Sequence, residues 1–546
     1  MDRFRKLDQD QFDVIVIGAG TGGLTAAALL AKRGKSVLIV DQHYVAGGNA
    51  TIFKRPGYEF DVGLHYVGQC ERGLFRASSL ARRCPGEVPP DGPRHRRSAG
   101  LRARDPRGLE RYRLRLTGAF PSNARHRPLR LVSGSAGRDR SDRVRRSGRA
   151  LFRSPLVLRF GNGTLGAFLD TCTRDPMLRT VLAAESGDYA EPPSRAALVL
   201  HAGLMLHYLD EGGYYPEGGG QVMSDRLAEA IEKHGGKILL STRVERILLR
   251  DGRAVGVRLR NKHIGVRDVA ARAVVSNADI KRLYLELIGP EHVRKKTVRK
   301  VRAWEMAPAL GMVYLGVRRE ALGARLRNTN YWIYGTTDVE GAYRDVRAGR
   351  FSREPLLYVS IASLKDPGNP KVAPPGIVNL QLMSLAPHQP EAWGVSAADV
   401  ANGTYSDQAT YRERKAEYTA ALFRAAERVF PGLEKHVVFQ ETATPLTHTR
   451  YTLSTGGTSY GLALVPEQFL WRRPGPKTEI DSLYVCGAST YTGHGIAGAM
   501  ASGVNAAAAL VGREVWREVW SALPSTAREA ARRDAPAESP APSATI

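Results

Sequence analysis

At 546 residues and 43% apolar content, the chain is too long for one compact core, so two or three domains are expected. Its four cysteines (Cys70, Cys84, Cys172, Cys486) have neither metal-ligand spacing nor a disulfide framework, which fits a reducing compartment and excludes a cysteine-stapled scaffold. The net charge of +26 invites a nucleic-acid reading, which the location of the charge argues against. No run approaches the roughly 18 apolar residues of a membrane span, and the opening Met1-Asp-Arg-Phe-Arg-Lys has no apolar signal region. A cytoplasmic protein is therefore expected.

The first strong signal is Asp13-Val-Ile-Val-Ile-Gly-Ala-Gly-Thr-Gly-Gly-Leu, then a helical stretch and Val37-Leu-Ile-Val-Asp41. A short buried strand runs into Gly18-x-Gly20-x-x-Gly23. Gly18 allows the tight turn, Gly20 lets backbone approach a pyrophosphate, and Gly23 lets the next helix pack on the strand. Thr21 and Gly22 open that helix, whose N-terminus faces the phosphates. Asp41 ends the second strand 23 residues after Gly18, where a carboxylate accepts hydrogen bonds from a ribose, with Gln42 next to it. The unit predicts a dinucleotide site.

The next thirty residues favour FAD over NAD. Instead of another βαβ unit come His43-Tyr-Val-Ala-Gly47-Gly48-Asn49 and Gly57-Tyr-Glu-Phe-Asp61-Val-Gly63-Leu-His65-Tyr66. The Gly47-Gly48 pair lets backbone approach the cofactor again, farther towards a ring system. Near the other end, Leu483-Tyr-Val-Cys-Gly487-Ala488 precedes Gly493-His-Gly495-Ile496-Ala-Gly498 and an alanine-rich run. Two strand–glycine–helix units from opposite ends suit a long cofactor bridging a discontinuous domain. The expected class is α/β: a three-layer, Rossmann-type FAD-binding domain with a mostly parallel sheet, and a discontinuous α+β substrate or cap domain.

Residues 72–150 are different in kind. They hold 22 arginines, no lysine and six acids, a charge of +16, leaving +10 for the other 467 residues. They lack Ile, Met, Gln and Trp, and their large apolar residues are too sparse and aperiodic for a core. Reading GC-rich coding sequence out of frame produces such Arg, Ala, Gly and Pro mixtures, and a frame shifted within this window, recovered by about Leu151, is the favoured explanation. A disordered basic insert is the alternative. A nucleic-acid patch fits less well, because basic RNA-binding segments interleave lysine and aromatics. No nucleic-acid partner is expected.

From Leu151 onward the pattern is globular. Thr164–Thr173 and Ala196–Leu209 read as cap helices, and Gln221–Gly236 as a helix stopped by glycine. Lys237–Leu240, Val244–Arg250 and Ala254–Leu259 suggest a small antiparallel meander, ending in a strand at Ala273-Val-Val-Ser-Asn277. Leu310–Val317, Leu356–Ser363 and Ile377–Leu382 read as strands of a substrate-binding sheet, and Tyr411–Phe430 as a covering helix. The resulting division assigns residues 11–72, 218–285 and 472–515 to the FAD domain and 151–217 with 286–471 to the substrate domain. The tail, 523–546, is rich in Pro, Ala, Ser, Glu and Arg and is expected to be disordered.

Phe60-Asp-Val-Gly-Leu-His-Tyr-Val-Gly68, His207-Tyr-Leu209, Gly213-Tyr-Tyr-Pro216, Gly218-Gly-Gly220, Arg473-Pro-Gly-Pro476 and Gly495-Ile-Ala-Gly498 resemble the phytoene desaturase, carotenoid isomerase and retinol saturase group of FAD-dependent oxidoreductases. The resemblance covers residues 11–72 and roughly 151–515. It implies a polyene or isoprenoid lipid substrate whose C=C bonds are desaturated, saturated or isomerised beside the flavin, and peripheral contact with a membrane. It implies a backbone contact from Val244 to the adenine; a plain core valine is the alternative. Thr444-Pro-Leu-Thr and Thr455–Gly461 resemble the segment near the flavin.

Candidate cofactor contacts are thus Gly18, Gly20, Thr21, Gly22, Gly23, Asp41, Gln42, Gly47, Gly48, Asn49, Val244, Gly487, Ala488, Gly495 and Ile496. His65 and Tyr66 are the catalytic candidates, a histidine there being able to steady charge or move a proton beside a double bond; a packed histidine bonded to a carbonyl is the bland alternative. His494, between two glycines, reads as a surface or phosphate-side residue. No metal site is expected, and the electron partner stays open. Other readings are an amine-oxidase-like enzyme on a small soluble substrate, and a non-catalytic relic broken in its cap. Sequencing the codons for residues 70–155 tests the frame: an internal shift is expected, and an unbroken frame rules it out.

Overall fold

A computed structural model describes residues 7, 9–68, 161–211 and 213–521. The arginine-rich window 73–150, Cys70, Cys84 and the tail 523–546 lie outside these residues.

Strand β1 (Gln11–Ile17) alternates between two cores: Val14 and Val16 face one, Phe12, Ile15 and Ile17 the other. Helix α1 (Thr21–Lys32) follows, and β2 (Val37–Val40) lies parallel to β1, pairing Val14 with Val37 through Ile17 with Val40. A hairpin of β3 (Ile52–Arg55) and β4 (Tyr58–Asp61) turns at Pro56-Gly57. After two short helices, Leu165–Asp170 and Pro176–Ala183, come α2 (Leu198–Glu211) and α3 (Gln221–Lys233). They lead to β5 (Lys237–Leu239), β6 (Arg243–Arg250), β7 (Arg253–Asn261) and β8 (Gly265–Ser276).

The main sheet runs β5-β2-β1-β8-β7-β6. Its β5, β2, β1 and β8 are parallel, whereas β7 runs antiparallel to β8 and β6 antiparallel to β7. The expected meander is therefore β6-β7-β8. The segment beginning at Lys237 is instead the parallel outer strand on β2. A strand's pairing partner can be distant in sequence, and local alternation carries no record of it. β8 also begins well before Ala273, so one long strand serves both the meander and the parallel sheet.

A second sheet, order β10-β11-β12-β9-β13, is wholly antiparallel. It comprises β9 (Ala309–Arg318), β10 (Tyr331–Ile333), β11 (Leu357–Ile361), β12 (Ile377–Ala386) and β13 (Val437–Ala443). β9 is buried on both faces. Val313, Leu315 and Val317 pack with Tyr411, Tyr418 and Leu422 of α4 (Ala409–Ala426), while Leu310, Met312 and Tyr314 point towards the β3–β4 hairpin. There Phe53 meets Tyr314 edge-on at 4.7 Å, and Tyr58 packs on Phe439 at 4.8 Å. Helix α5 (Pro445–Thr452) follows β13, begun by a Thr444–Thr447 capping box.

The chain then returns to the first sheet: β14 (Leu483–Val485) lies parallel to the end of β8, and α6 (Gly495–Val511) packs against α1. Glycine makes this contact possible, since a Cβ on Gly503 would stand 2.3 Å from the Gly22 carbonyl oxygen and one on Gly22 2.9 Å from the Ala499 oxygen. Gly503→Val is expected to destabilise the protein by about 1–3 kcal/mol through overpacking, read as a lower denaturation midpoint.

Candidate active site

The carboxyl ends of four neighbouring parallel strands are tied by three backbone hydrogen bonds. Gly18 N–H donates to Val40 O (2.7 Å), Asn277 N–H to Ile17 O (2.7 Å) and Cys486 N–H to Ser276 O (2.9 Å). Each loop that leaves the sheet is thereby held against the next, at the edge where open α/β sheets take ligands. Gly18 makes its turn at φ +94°. Gly47 N–H donates to Ala19 O at 2.8 Å, so the second glycine loop lies on the first.

A cavity of about 580 Å³ opens over these loops. It is lined by Gly18, Gly20, Thr21, Gly22, Asp41, Gln42, Gly47, Gly48, Asn49, His65, Val244, Gly487, Ala488, Gly495 and Ile496, segments far apart in the chain. Gly23 and Tyr66 do not line it. Gly23 packs on the glycine turn, where a Cβ would stand 2.1 Å from Gly18 O. Tyr66 turns away, its hydroxyl donating to Asp188 Oδ2 at 2.5 Å, its ring 4.7 Å from that of Tyr208. His494 is the half-buried N-cap residue of α6, its Nε2 3.1 Å from Asp188 O and its ring edge-on to Tyr460.

Three features fit a bound dinucleotide. The N-caps of α1 (Gly20) and α6 (His494) make no side-chain capping bond, so both helix N-termini offer free N–H groups and positive dipole ends at the cavity. At Gly20 a Cβ would stand 2.8 Å from Asn277 Nδ2, so only a bare backbone leaves the floor open. Asn49 Oδ1 is buried without a hydrogen-bond partner, although Asn49 Nδ2 donates to Ser459 O at 3.2 Å. Asp41 has a second duty: Oδ2 accepts from Ala19 N–H and Oδ1 from His43 N–H, both at 2.7 Å. It clamps the glycine turn to the end of β2 while keeping further lone pairs. Gln42 reaches across to the end of α5, donating from Nε2 to the carbonyls of Arg450 (3.2 Å) and Tyr451 (2.9 Å).

His65 is buried, with its ring 5.7 Å from that of Tyr358, and makes no ring bond to a backbone carbonyl. Nδ1 and Nε2 are both buried with no hydrogen-bond partner, and burial with the nearby Lys365 charge holds the imidazole down at about 3. It is neutral near pH 7. Beyond it, the cavity continues along Leu310, Met312, Tyr314 and Met383 of the second sheet and Ile52 and Phe53 of the hairpin. Among the described residues no cluster of His, Cys, Asp or Glu has the makings of a metal site.

Sequence reasoning missed Asn277 as a lining residue, although it ends a strand as Asp41 does. It also missed the buried group around Asp188. Burial, reinforced by Glu185, raises the Asp188 carboxyl to about 8 against the opposing Tyr66 hydrogen bond. A folded-state value above the unfolded one gives stability that is full at low pH and lost as pH rises through about 8. Asp188→Asn, a mimic of the neutral acid, should thus match the wild-type melting temperature below the unfolded value of 3.8 and exceed it by a margin that widens as pH rises to about 8. Parallel melting curves check this.

Comparison with known proteins bears on this geometry. Human all-trans-retinol 13,14-reductase is 29% identical over 553 residues, covering 93% of this chain and 87% of its own. Chloroplastic prolycopene isomerase of Arabidopsis thaliana is 26% identical over 515 residues, 90% of this chain and 81% of the isomerase. An oxidoreductase structure from Methanosarcina mazei superimposes with a TM-score of 0.56 at 18% identity, over 90% of this chain and 98% of that one, a likeness of fold. The model of the flavin-containing amine oxidoreductases matches residues 21–511, and the chain belongs to this family of FAD-dependent oxidoreductases.

Proposed function

We propose that this FAD-dependent oxidoreductase acts on carbon–carbon double bonds of a polyene or isoprenoid lipid. The observation that carries the reading is one cavity joining two uncapped helix N-termini to an unpartnered neutral histidine and an apolar arm. The names of the retinol reductase and prolycopene isomerase relatives support it. In the same reading, the described residues within 11–72, 218–285 and 472–515 hold the cofactor, and those within 151–217 and 286–471 cover it and take the substrate.

In this reading Gly18, Gly20, Thr21, Gly22, Gly47, Gly48, Gly487, Ala488, Gly495 and Ile496 present backbone to the cofactor. Asp41 and Gln42 take its ribose end, and Val244, on the outer strand β6, takes the adenine. Asn49 Oδ1 accepts one further hydrogen bond. FAD, when bound, supplies hydride acceptance or donation. His65 has a lone pair and an N–H to offer and no partner to leave, so it can hold or hand over a proton beside the reacting double bond. Leu310, Met312, Met383 and Phe53 exclude water and align an extended chain. The lipid is drawn from a membrane surface by peripheral contact; among the described residues no helix is long and apolar enough to cross one.

The purified protein is expected to show flavin bands near ~370 and ~450 nm. Under anaerobic mixing, polyenes or isoprenoids should change the bound-flavin spectrum or be isomerised without net change, and small amines should do neither. Amine oxidation with peroxide release, or a flavin inert to every substrate and donor, would overturn the proposal. His65→Gln should retain the flavin bands and lower turnover about 10²-fold or more, as loss of a positioned acid–base group does.

A further inference from the structure

We infer that Lys365 is a positioning residue that fixes the His65 ring in the cavity. Its Nζ donates to the His65 carbonyl (2.7 Å), to Asn330 Oδ1 (2.6 Å) and to Ser360 Oγ (2.8 Å). The inference rests on the acid–base role proposed for His65.

An ammonium has three donors, and here all three are placed, each on a different segment. Ser360 belongs to β11, Asn330 directly precedes β10, and His65 lies in the stretch after β4. The remaining neighbours of Lys365 are the Tyr215 ring, 5.8 Å from Nζ, and Asp61, whose carboxylate accepts from Tyr215 Oη (2.5 Å) and Gly220 N–H (3.0 Å). The backbone around His65 is held on every side. Leu64 is fully buried, Tyr66 is tied to Asp188, and Val67 pairs with Tyr214 in both directions. With the His65 carbonyl captured as well, its Cα is held in place, and the ring starts from a fixed point beside the cavity. Tyr358, 5.7 Å away between centroids, backs the ring. Lys365 does not line the cavity, so it acts through His65. Burial keeps His65 neutral, and the Lys365 charge adds to this by opposing a second positive charge beside it.

The test compares Lys365→Met, Lys365→Arg, His65→Gln and the Lys365→Met/His65→Gln double variant as holoenzymes. Burial lowers the Lys365 ammonium to about 7 against the nearby Asp61 charge, so histidine-15N spectra of the wild type taken near pH 5.5, where all three donors are present, should show one sharp His65 environment, identified by its absence in His65→Gln. Lys365→Met should broaden or split it at unchanged flavin content. With a polyene or isoprenoid that the wild type turns over, Lys365→Met should lower kcat about tenfold or more with KM within about twofold, as misplacement of a reacting group does. Lys365→Arg should recover part of the loss, and the double variant should be no worse than His65→Gln. Losses that add in the double variant, or unchanged His65 signals in Lys365→Met, overturn the inference. If Lys365→Met fails to accumulate, Asn330→Ala, which removes one acceptor, carries the same comparisons. Full activity in His65→Gln would remove the acid–base role, while the spectra still decide whether Lys365 fixes the ring.

Discussion

The close contact of α1 with α6 is the constraint on which the rest of the molecule depends. Two helices from opposite ends of the chain touch backbone to backbone because Gly22 and Gly503 carry no side chain. That approach sets their N-termini side by side over the carboxyl edge of one sheet. Each helix starts without a side-chain cap, an energetic defect in an isolated helix and an asset beside an anionic ligand. The ties among Gly18, Asn277 and Cys486 hold the intervening loops in register.

The two sheets have different electrostatic characters, and the site lies between them. The first supplies oriented N–H groups, with Asp41 and Asn277 stationed at strand ends. The second supplies the even-numbered residues of β9, Leu310, Met312 and Tyr314, as an apolar wall. His65 sits where these surfaces meet. As a neutral imidazole it offers both a hydrogen-bond donor and an acceptor without bringing a charge into the interior.

Legibility in the sequence tracks the range of the forces involved. Gly18, Gly20 and Gly23 announce themselves because a tight turn and a close helix leave no room for a side chain, a local demand with a fixed spacing. The strand at Lys237 was readable as a strand, but its partner β2 lies some two hundred residues away and left no local mark. The β3–β4 hairpin hid among residues whose chemistry drew attention, although Pro56-Gly57 between two short apolar-alternating runs signals a turn. Tyr66 and His65 look equivalent in sequence, yet strand-like alternation sends one ring to Asp188 and the other to the cavity. Lys365 and Asp188 were not legible. Nothing in Ser-Leu-Lys-Asp or Ser-Gly-Asp-Tyr states that tertiary packing will bury a charge there.

The order in which the main sheet is threaded has a consequence for how the protein is made. Its strands come from residues 11–40, from 237–276 and finally from 483–485. A chain emerging from the ribosome can pair β1 with β2 early, yet the place beside the end of β8 stays vacant until Leu483 appears. Gly22 likewise stays uncovered until Gly503 arrives. The cofactor cradle therefore cannot close until nearly the whole chain has been made, and the end of β8 and Gly22 stay uncovered until then. Production of this protein should accordingly be limited by the company the unfinished chain keeps, chaperones or its own copies, more than by the stability of the finished fold.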